Sequence, residues 1–298
     1  MRKSFVSILF TIVCMLCSFG ANAYDFVVGG FFYNKIDDFR VEVTYQGETA
    51  DRYEEYYGSE IVPSSVTYDG STYTVSRIGN GAFAGCYRLD SVELPSTIVE
   101  IGENAFVECD GLTSINLGNV SVIHDFAFFD CKGLTTVTLP SSLERLGFGA
   151  FFNCTHMAAL NMNDNLKEIG ERAFTRCIAL KDIEFAGDNL KIGNHAFESC
   201  KNINLTDVTD CISEVGDYAF ASCVKFRTVT LPRSVKSYGN YAFFACAQMT
   251  RLFIGSKVER MGENVFYNCS RIRQVTIDAM TPPTICKSTF PDVVYRNA

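Results

Sequence analysis

The chain has 298 residues, of which 47% are hydrophobic and 20% are charged. This composition excludes an intrinsically disordered chain, which would carry fewer apolar residues and more charge. The formal net charge of −8 argues against a surface that coats nucleic acid. Three histidines are few for a histidine-based metal or catalytic centre, whereas the 13 cysteines require an explanation.

The first 23 residues have the organisation of a secretory signal peptide. A basic start at positions 2 and 3 is followed by an apolar stretch over 5–17, and Ala21-Asn22-Ala23 supplies the small residues that a signal peptidase accepts. That stretch is short for a membrane anchor, and no later one is long enough to span a bilayer. We therefore predict cleavage after Ala23. The mature chain of 275 residues, with 11 cysteines and a formal charge of −10, would then be secreted or held at the cell surface.

An internal repeat runs through most of the mature chain. A cysteine recurs nine times, with every spacing equal to 23 residues except one of 22. A phenylalanine stands three residues before each of these cysteines, and in eight of the nine repeats a glycine stands four residues before that phenylalanine. His124 replaces the glycine in the remaining repeat, which is also the short one. The nine cysteines are Cys86, Cys109, Cys131, Cys154, Cys177, Cys200, Cys223, Cys246 and Cys269.

Each repeat combines two kinds of apolar spacing. From Ile78 to Cys86 and Leu89 the spacing is that of a helix, and from Val92 to Leu94 it alternates as in a strand. One repeat has no means of burying its apolar face alone, but stacked repeats bury it against each other. The sequence therefore predicts an α/β repeat solenoid. We expect a curved rod with one parallel, in-register sheet and short helical turns on the other side.

On these motifs the chain resembles the BspA-like type of bacterial leucine-rich repeat proteins, whose units are 23 residues long. The resemblance covers about Ile61 to Ile277 and implies a leucine-rich-repeat-type rod with an N-terminal β cap. It also implies a surface or secreted location, and some members of the family act in adhesion. Within the cap, Tyr24–Tyr45 alternates as a hairpin does, and residues 68–73 have the pattern of strand, turn and strand.

These patterns divide the chain into four parts. The predicted boundaries are a signal peptide over 1–23, a β-rich cap over 24–75, nine repeats over 76–280, and a partial tenth repeat with the C-terminal end over 281–298.

The repeated residues have distinct physical roles. The phenylalanine fills the core, and the glycine either needs a positive φ or tolerates no side chain. In the short repeat we expect a local distortion over Leu117–Phe128. For the cysteine column we favour buried thiols, because parallel Cβ vectors and an odd number of cysteines suit disulfides poorly. A column also spreads metal ligands out instead of converging them. Disulfides and a metal site stay open as alternatives.

Positions five and seven after each cysteine face solvent along the predicted sheet, and most are short polar residues that suit a half-exposed sheet. Two places differ: an acidic group around the fifth and sixth repeats, and an arginine beside a phenylalanine and a glutamine near the C-terminal end. An arginine beside an aromatic ring is typical of binding hot spots, although ordinary surface variation also produces such pairs. The candidate ligand-binding residues are Arg251, Phe253, Gln274, Asp182, Glu184 and Asp207.

A second aromatic stripe follows the core phenylalanines by one position. Exposed aromatic rings in a row can mark a partner surface, or they can cover the edges of adjacent turns. The residues of this secondary stripe are Phe129, Phe152, Phe244 and Tyr267.

Signals of catalysis are missing from the sequence. The histidines stand at unrelated positions in their repeats, and the glycines recur as turn residues and not as a phosphate-binding loop. Asp182 and Glu184 are expected on an open face, which does not exclude water as a catalytic cleft does. We expect no catalytic residue, no metal and no cofactor.

The predicted function is that of an exported, non-enzymatic recognition or adhesion module. It would bind an extracellular protein or glycan over its repeat surface, and not nucleic acid. The alternatives are a structural component of the cell envelope without a specific ligand and, far less favoured, a hydrolase with an open site.

Overall fold

A computed structural model of the chain shows a solenoid built from short strands and turns. It describes residues 24–46, 56–203, 210–278, 283–286 and 288–290, except for the side chains at positions 182 and 184. The predicted signal peptide lies outside the described residues.

The described residues contain 22 strands. Those of the N-terminal part are β1 (Phe26–Val28), β2 (Phe31–Lys35), β3 (Arg40–Thr44), β4 (Gly58–Ile61), β5 (Ser65–Tyr68) and β6 (Ser71–Ile78). Those of the repeats are β7 (Leu89–Glu93), β8 (Glu100–Ile101), β9 (Ser114–Ile115), β10 (Val122–Ile123), β11 (Thr136–Thr138), β12 (Arg145–Leu146), β13 (Ala159–Asn161), β14 (Glu168–Ile169), β15 (Asp182–Glu184), β16 (Leu190–Ile192), β17 (Ile212–Val215), β18 (Thr228–Thr230), β19 (Ser237–Tyr238), β20 (Arg251–Ile254), β21 (Arg260–Met261) and β22 (Gln274–Ile277).

The N-terminal strands start the long sheet of the solenoid. β1, β2 and β3 pair antiparallel, and β3 then lies parallel to β6. β5 and β6 form a hairpin whose turn residues, Asp69 and Gly70, have φ values of 48° and 75°. Two positive φ values are what a tight hairpin with the twist of its strands requires. The predicted strand, turn and strand over residues 68–73 is therefore confirmed.

Stacking of equivalent residues is the organising feature of the long sheet. From β6 onward its strands pair parallel, so that Ile78 lies opposite Ile101, Ile101 opposite Ile123, and Ile123 opposite Leu146. The order continues through β14, β16, β17 and β19 to β21. The predicted parallel pairing is confirmed, and it is in register except for a shift between Leu190 and Lys191 where β16 pairs with β17.

The number of sheets differs from the prediction of a single one. The long sheet uses the residues just before the repeated glycine, whereas the predicted strands after the cysteine form three separate three-stranded sheets. These are β4-β7-β9, β11-β13-β15 and β18-β20-β22. The solenoid thus presents two β surfaces, because each turn of the chain carries two short strands.

The prediction of short helical turns, and with it the α/β class, was wrong for the described residues, in which no helix occurs. The backbone NH groups of Ala82, Cys86 and Leu89 each bond to the carbonyl three residues earlier, which gives successive tight turns. Residues two before and two after the core phenylalanine have positive φ, as Gly81 and Gly85 do in the first repeat. A left-handed residue at every fourth position prevents a right-handed helix, although the spacing of apolar residues remains helix-like.

The core phenylalanines form one continuous column. Neighbouring ring centroids are 4.9 to 5.6 Å apart, and the ring planes differ by 2° to 12°. Phe290 of the last described segment adds a tenth ring to the column at 5.4 Å from Phe266. The column contains Phe83, Phe106, Phe128, Phe151, Phe174, Phe197, Phe220, Phe243, Phe266 and Phe290. This stacking makes the interiors of all nine repeats a single hydrophobic core.

The cysteines form a second buried column beside the rings. From Cys109 to Cys269, each thiol donates a hydrogen bond to the carbonyl oxygen of the core phenylalanine in the preceding repeat, with Sγ···O distances of 2.8 to 3.3 Å. Burial raises the pKa of the Cys154 and Cys177 thiols well above the usual value. The described residues contain no disulfide. The cysteine is thus a small apolar group that also supplies a donor between repeats.

The repeated glycine is required by close packing and not by its backbone angle. A Cβ atom built on Gly193 would lie 2.7 Å from the carbonyl oxygen of Ile169 and 2.8 Å from the amide nitrogen of Glu171. Gly170 and Gly216 meet the preceding repeat equally closely. Of the two predicted roles, the structure selects the intolerance of a side chain.

The short repeat interrupts one β surface only. The three-stranded sheet ends at β9, and the next begins at β11, so the break falls in the repeat in which we expected distortion. The long sheet passes through the same repeat without a gap. His124, which stands at the glycine position, has its Nε2 atom 2.7 Å from a carboxylate oxygen of Glu100.

Candidate functional site

The C-terminal sheet β18-β20-β22 brings the predicted cation, ring and amide onto one face. Thr228, Arg251 and Gln274 lie opposite one another in register. Val229 and Leu252 alternate with the outward residues and are buried, so the core fixes which side chains face out. Neighbouring strands are about 4.8 Å apart, which puts these outward side chains within reach of one ligand.

Exposure on this face, which we call sheet face D, is uneven. Arg251 and Gln274 are exposed, whereas Phe253 is half-buried between Thr230 and Thr276, its neighbours in register. The main chain of Phe253 is held by the amide of Leu231, which donates to its carbonyl oxygen over 2.8 Å. The face therefore combines an exposed cation with a half-buried ring on a hydrogen-bonded backbone.

Two further arginines stand beside sheet face D and were not singled out from the sequence. Arg227 directly precedes β18 and Arg273 directly precedes β22, and both are exposed. The amide of Thr250 donates to the carbonyl oxygen of Arg227, and the amide of Arg273 donates to that of Thr250. The two arginines thus occupy equivalent positions two repeats apart, joined by main-chain hydrogen bonds.

Exposed charges of the long sheet neutralise each other over β12, β14, β16 and β17. Charges of opposite sign alternate from strand to strand, with Arg145 opposite Glu168, Glu168 opposite Lys191, and Lys191 opposite Glu214. Arg145 contacts Glu168, and Lys191 Nζ lies 3.3 Å from Glu214. Cations and carboxylates that already form ion pairs leave little charge for a ligand in this part of the long sheet.

The acidic group remains a prediction. Asp182 and Glu184 belong to β15, where their backbones pair with Ala159 and Asn161. Their side chains and the whole of Asp207 lie outside the part that the structure describes. The proximity of these three carboxylates therefore stays a prediction.

The secondary aromatic stripe forms two separate stacks. Phe129 and Phe152 stack with their centroids 5.2 Å apart, and less than a tenth of either residue is exposed. Phe244 and Tyr267 stack at 6.0 Å, and Tyr267 is 49% exposed. Only the second stack thus offers an open ring to a partner.

A third aromatic row, absent from the sequence analysis, borders the second stack. The rings of His195, Tyr218 and Tyr241 stack at 4.9 and 4.8 Å, and Phe244 meets Tyr241 edge-on at 5.9 Å. All three residues of the row have φ of 55° or 56°, a conformation that glycine and asparagine adopt more readily. Recurrence of bulky residues at one repeat position was the signal that could have revealed this row.

Within the described residues, no group of three or more histidine, cysteine, aspartate or glutamate side chains is arranged to hold a metal ion. Among the same residues, no helix is long and apolar enough to cross a membrane.

Comparison with known proteins identifies the repeat. The family described as the BspA type leucine-rich repeat region matches residues 76–204 and 192–293, in six copies. Together the matched segments cover more than two thirds of the chain. Among curated proteins no match was found.

Several solved structures are similar to this chain. A leucine-rich cell surface protein from Faecalibacterium prausnitzii is 20% identical over 88% of this chain and 96% of its own, with a TM-score of 0.43. A leucine-rich repeat protein from Bacteroides ovatus is 21% identical over 89% of this chain and 100% of its own, with a TM-score of 0.40.

The pneumococcal vaccine antigen PcpA is 18% identical over 87% of this chain and 82% of its own, with a TM-score of 0.46. The family match covers the residues that carry the repeated glycine, phenylalanine and cysteine, and it confirms the resemblance stated from the sequence. The chain belongs to the BspA-type leucine-rich repeat family.

Proposed function

We propose that the protein is an exported recognition module that binds an extracellular partner, a protein or a glycan, through sheet face D, without catalysing a reaction. The observation that carries the proposal is the register of β18, β20 and β22, which gathers Arg251, Phe253 and Gln274 on one open face. A repeat family match supports an interaction role, because stacked repeats serve as extended binding surfaces.

The physical argument starts from rigidity. The strands of sheet face D stand on buried residues of the common core, so little conformational freedom is lost when a partner binds to them. An exposed guanidinium provides directional hydrogen bonds, and a half-buried ring provides apolar contact area. An open sheet without a water-excluding cleft supports binding better than it supports catalysis.

The export signal and a surface location belong to the same proposal. They rest on the sequence pattern of residues 1–23, and a family whose members include surface and secreted proteins supports them. Mass spectrometry of the protein made in a bacterial host with its N-terminus intact tests cleavage after Ala23.

Binding is tested with the mature chain on an array of extracellular proteins and glycans. We expect at least one saturable ligand, and we expect Arg251→Glu and Phe253→Ala to weaken its binding by about tenfold or more, as changes at a hot spot do. Arg251→Glu should unfold at the same temperature as the parent because its side chain is exposed, and Phe253→Ala should stay folded because its half-buried ring is not part of the core.

A matched control is Arg145→Glu, which reverses one exposed arginine on the long sheet and should leave binding unchanged. The alternative role, a structural component of the envelope, predicts no saturable ligand on the array. Turnover of an arrayed glycan or protein, abolished by a single change outside the core, would instead support the hydrolase.

A further inference from the structure

The charges of this protein are segregated along the chain. Residues 225–278 contain nine lysines and arginines but only three aspartates and glutamates, whereas the rest of the chain contains 17 and 31. The last repeats therefore carry a formal charge of +6 within a chain whose total is −8. Such asymmetry points to an interaction with an anionic partner at this end.

Three of the nine cations of this end lie on or beside sheet face D. Arg227, Arg251 and Arg273 are all exposed. In the described part of the chain, the ion pairs involve other cations, such as Arg77, Lys132 and those of the long sheet. The three guanidinium groups are therefore not neutralised by described carboxylates and keep their charge for a ligand.

The spacing of these cations suits a linear anion. Arg227 and Arg273 are separated by two strand spacings, which is about 10 Å, and Arg251 lies on the strand between them. A fourth arginine, Arg271, donates a hydrogen bond of 2.6 Å from its Nη1 atom to Gln248 Oε1. A guanidinium binds a sulfate or carboxylate through two parallel N–H groups. Sheet face D thus offers cations to a chain of anionic groups that runs along the rod.

The groups between the arginines favour a glycan over other anions. Hydroxyls of Thr228, Thr230 and Thr276 and the amide of Gln274 face outward among the cations. These are partners for sugar hydroxyls, and the ring of Phe253 offers an apolar surface for the C–H face of a sugar. A nucleic-acid duplex is wider than three strands and would reach the acidic repeats, which repel it.

We propose that sheet face D binds an anionic polysaccharide, one that bears sulfate or uronic acid groups, with Arg227, Arg251 and Arg273 contacting the acidic groups and Phe253 contacting a sugar ring. This inference rests on the proposed recognition function and specifies its ligand class.

The test compares dextran sulfate, heparin and polygalacturonate with uncharged dextran, using calorimetry on the mature chain. We expect saturable binding of at least one charged polymer and no binding of dextran. Binding should weaken steeply as salt is raised, because exposed charges are screened over about 8 Å at physiological ionic strength. The triple variant Arg227→Gln, Arg251→Gln, Arg273→Gln should lose about tenfold or more in affinity.

The matched control removes the same number of exposed cations elsewhere. The variant Arg88→Gln, Lys167→Gln, Lys201→Gln has the same net charge as the triple variant and should bind as the parent does. Equal losses in both variants would overturn the proposal, because net charge alone would then explain binding. Circular dichroism melting of both variants establishes that each is folded.

Two further arms separate the possible sources of failure. Poly-glutamate or duplex DNA bound as tightly as the charged glycans would overturn the assignment of a glycan. A ligand from the array that depends on Phe253 but neither on salt nor on the arginines would overturn this inference and leave the recognition function standing. The absence of any saturable ligand both on the array and in the calorimetry would overturn this inference and the proposed recognition function together.

Discussion

The thiol column ties the repeats together one hydrogen bond at a time. The carbonyl oxygen of Phe128 accepts from the amide of Cys131 in its own repeat and from the thiol of Cys154 in the next, at 3.3 and 3.2 Å. A serine would bring a hydroxyl that costs more to bury, and an alanine would bring no donor. Cysteine therefore suits a site that is apolar yet faces a carbonyl.

Because the thiols are buried, the free energy of unfolding depends on pH in the alkaline range. Their pKa values are raised by burial, so they stay protonated in the folded state while an exposed thiol ionises near pH 8.5. The unfolded state then binds fewer protons, and the free energy of unfolding falls as pH rises above about 8.5. Each thiol contributes up to about 1.4 kcal/mol per pH unit. The thiols concerned are Cys109, Cys131, Cys154, Cys177, Cys200, Cys223 and Cys246.

Urea unfolding of the reduced mature chain between about pH 7 and pH 10 measures this dependence. We expect a steep decline above the pKa of free cysteine and a shallower one in Cys177→Ala, which has one thiol fewer. A free energy of unfolding that stays constant across this range would contradict the burial of the column.

Tyr238 occupies a core position that the other repeats fill with isoleucine, leucine, valine or methionine. It is 1% exposed, and its hydroxyl has no hydrogen-bond partner among the described residues. A buried hydroxyl without a partner is destabilising, so Tyr238→Phe should raise the free energy of unfolding by about 1 kcal/mol. Thermal or urea unfolding measures the change.

Tyr241 provides the control for this substitution, because its hydroxyl accepts a hydrogen bond of 2.9 Å from Asn264 Nδ2. Tyr241→Phe should bring no gain in stability. A loss of stability in Tyr238→Phe would show that its hydroxyl has a partner after all.

At the scale of single residues, spacing was sufficient to predict which side chains are buried. Phe151 and Cys154 were assigned to the core from their recurrence alone, and both are fully buried. The partner of the thiol was not predictable, because it depends on where the carbonyl of the neighbouring repeat points. That direction follows from backbone angles, which the apolar pattern does not contain.

The turn that carries the core ring is the element that distinguishes this fold from a helical repeat. Ala242 and Ala245 flank Phe243 in the same turn, but only Ala245 has a positive φ, of 56°. Ala245→Gly should raise the free energy of unfolding by about 0.5–1 kcal/mol, because glycine adopts this conformation without strain. Ala242→Gly should lower it by a similar amount. Urea unfolding of the two variants compares them directly.

The expected result is that the same alanine-to-glycine change raises the free energy of unfolding at position 245 and lowers it at position 242. In a helix both changes would destabilise, each by about 1 kcal/mol. A loss of stability in Ala245→Gly would therefore contradict the left-handed turn.

The helix prediction failed because two conformations share one apolar spacing. Residues such as Ile78, Cys86 and Leu89 are separated by steps of three or four residues or by sums of such steps. A helix and a series of tight turns both bury residues at this spacing. The sequence did carry a distinguishing sign: glycine and asparagine recur two residues from the core ring, as at Gly81, Gly149 and Asn104. These residue types favour positive φ.

For the whole molecule, stacking converts a repeated pattern into a continuous core and leaves variation to the surface. The register of sheet face D was predictable, since equivalent positions of neighbouring repeats must lie side by side. Its basic surroundings, at Arg227 and Arg273, do not follow from the outward strand positions, because both arginines stand one residue before the strands. Net charge counted by segment would have located this end of the rod.

The distribution of rings in a crystal structure of the mature chain tests the central claim, that successive repeats stack in register, most directly. We expect Phe83 to Phe266 and Phe290 in one column, with neighbouring centroids between 4.9 and 5.6 Å. Rings divided among separate cores, or Phe106, Phe151 and Phe197 out of line with one another, would contradict the account.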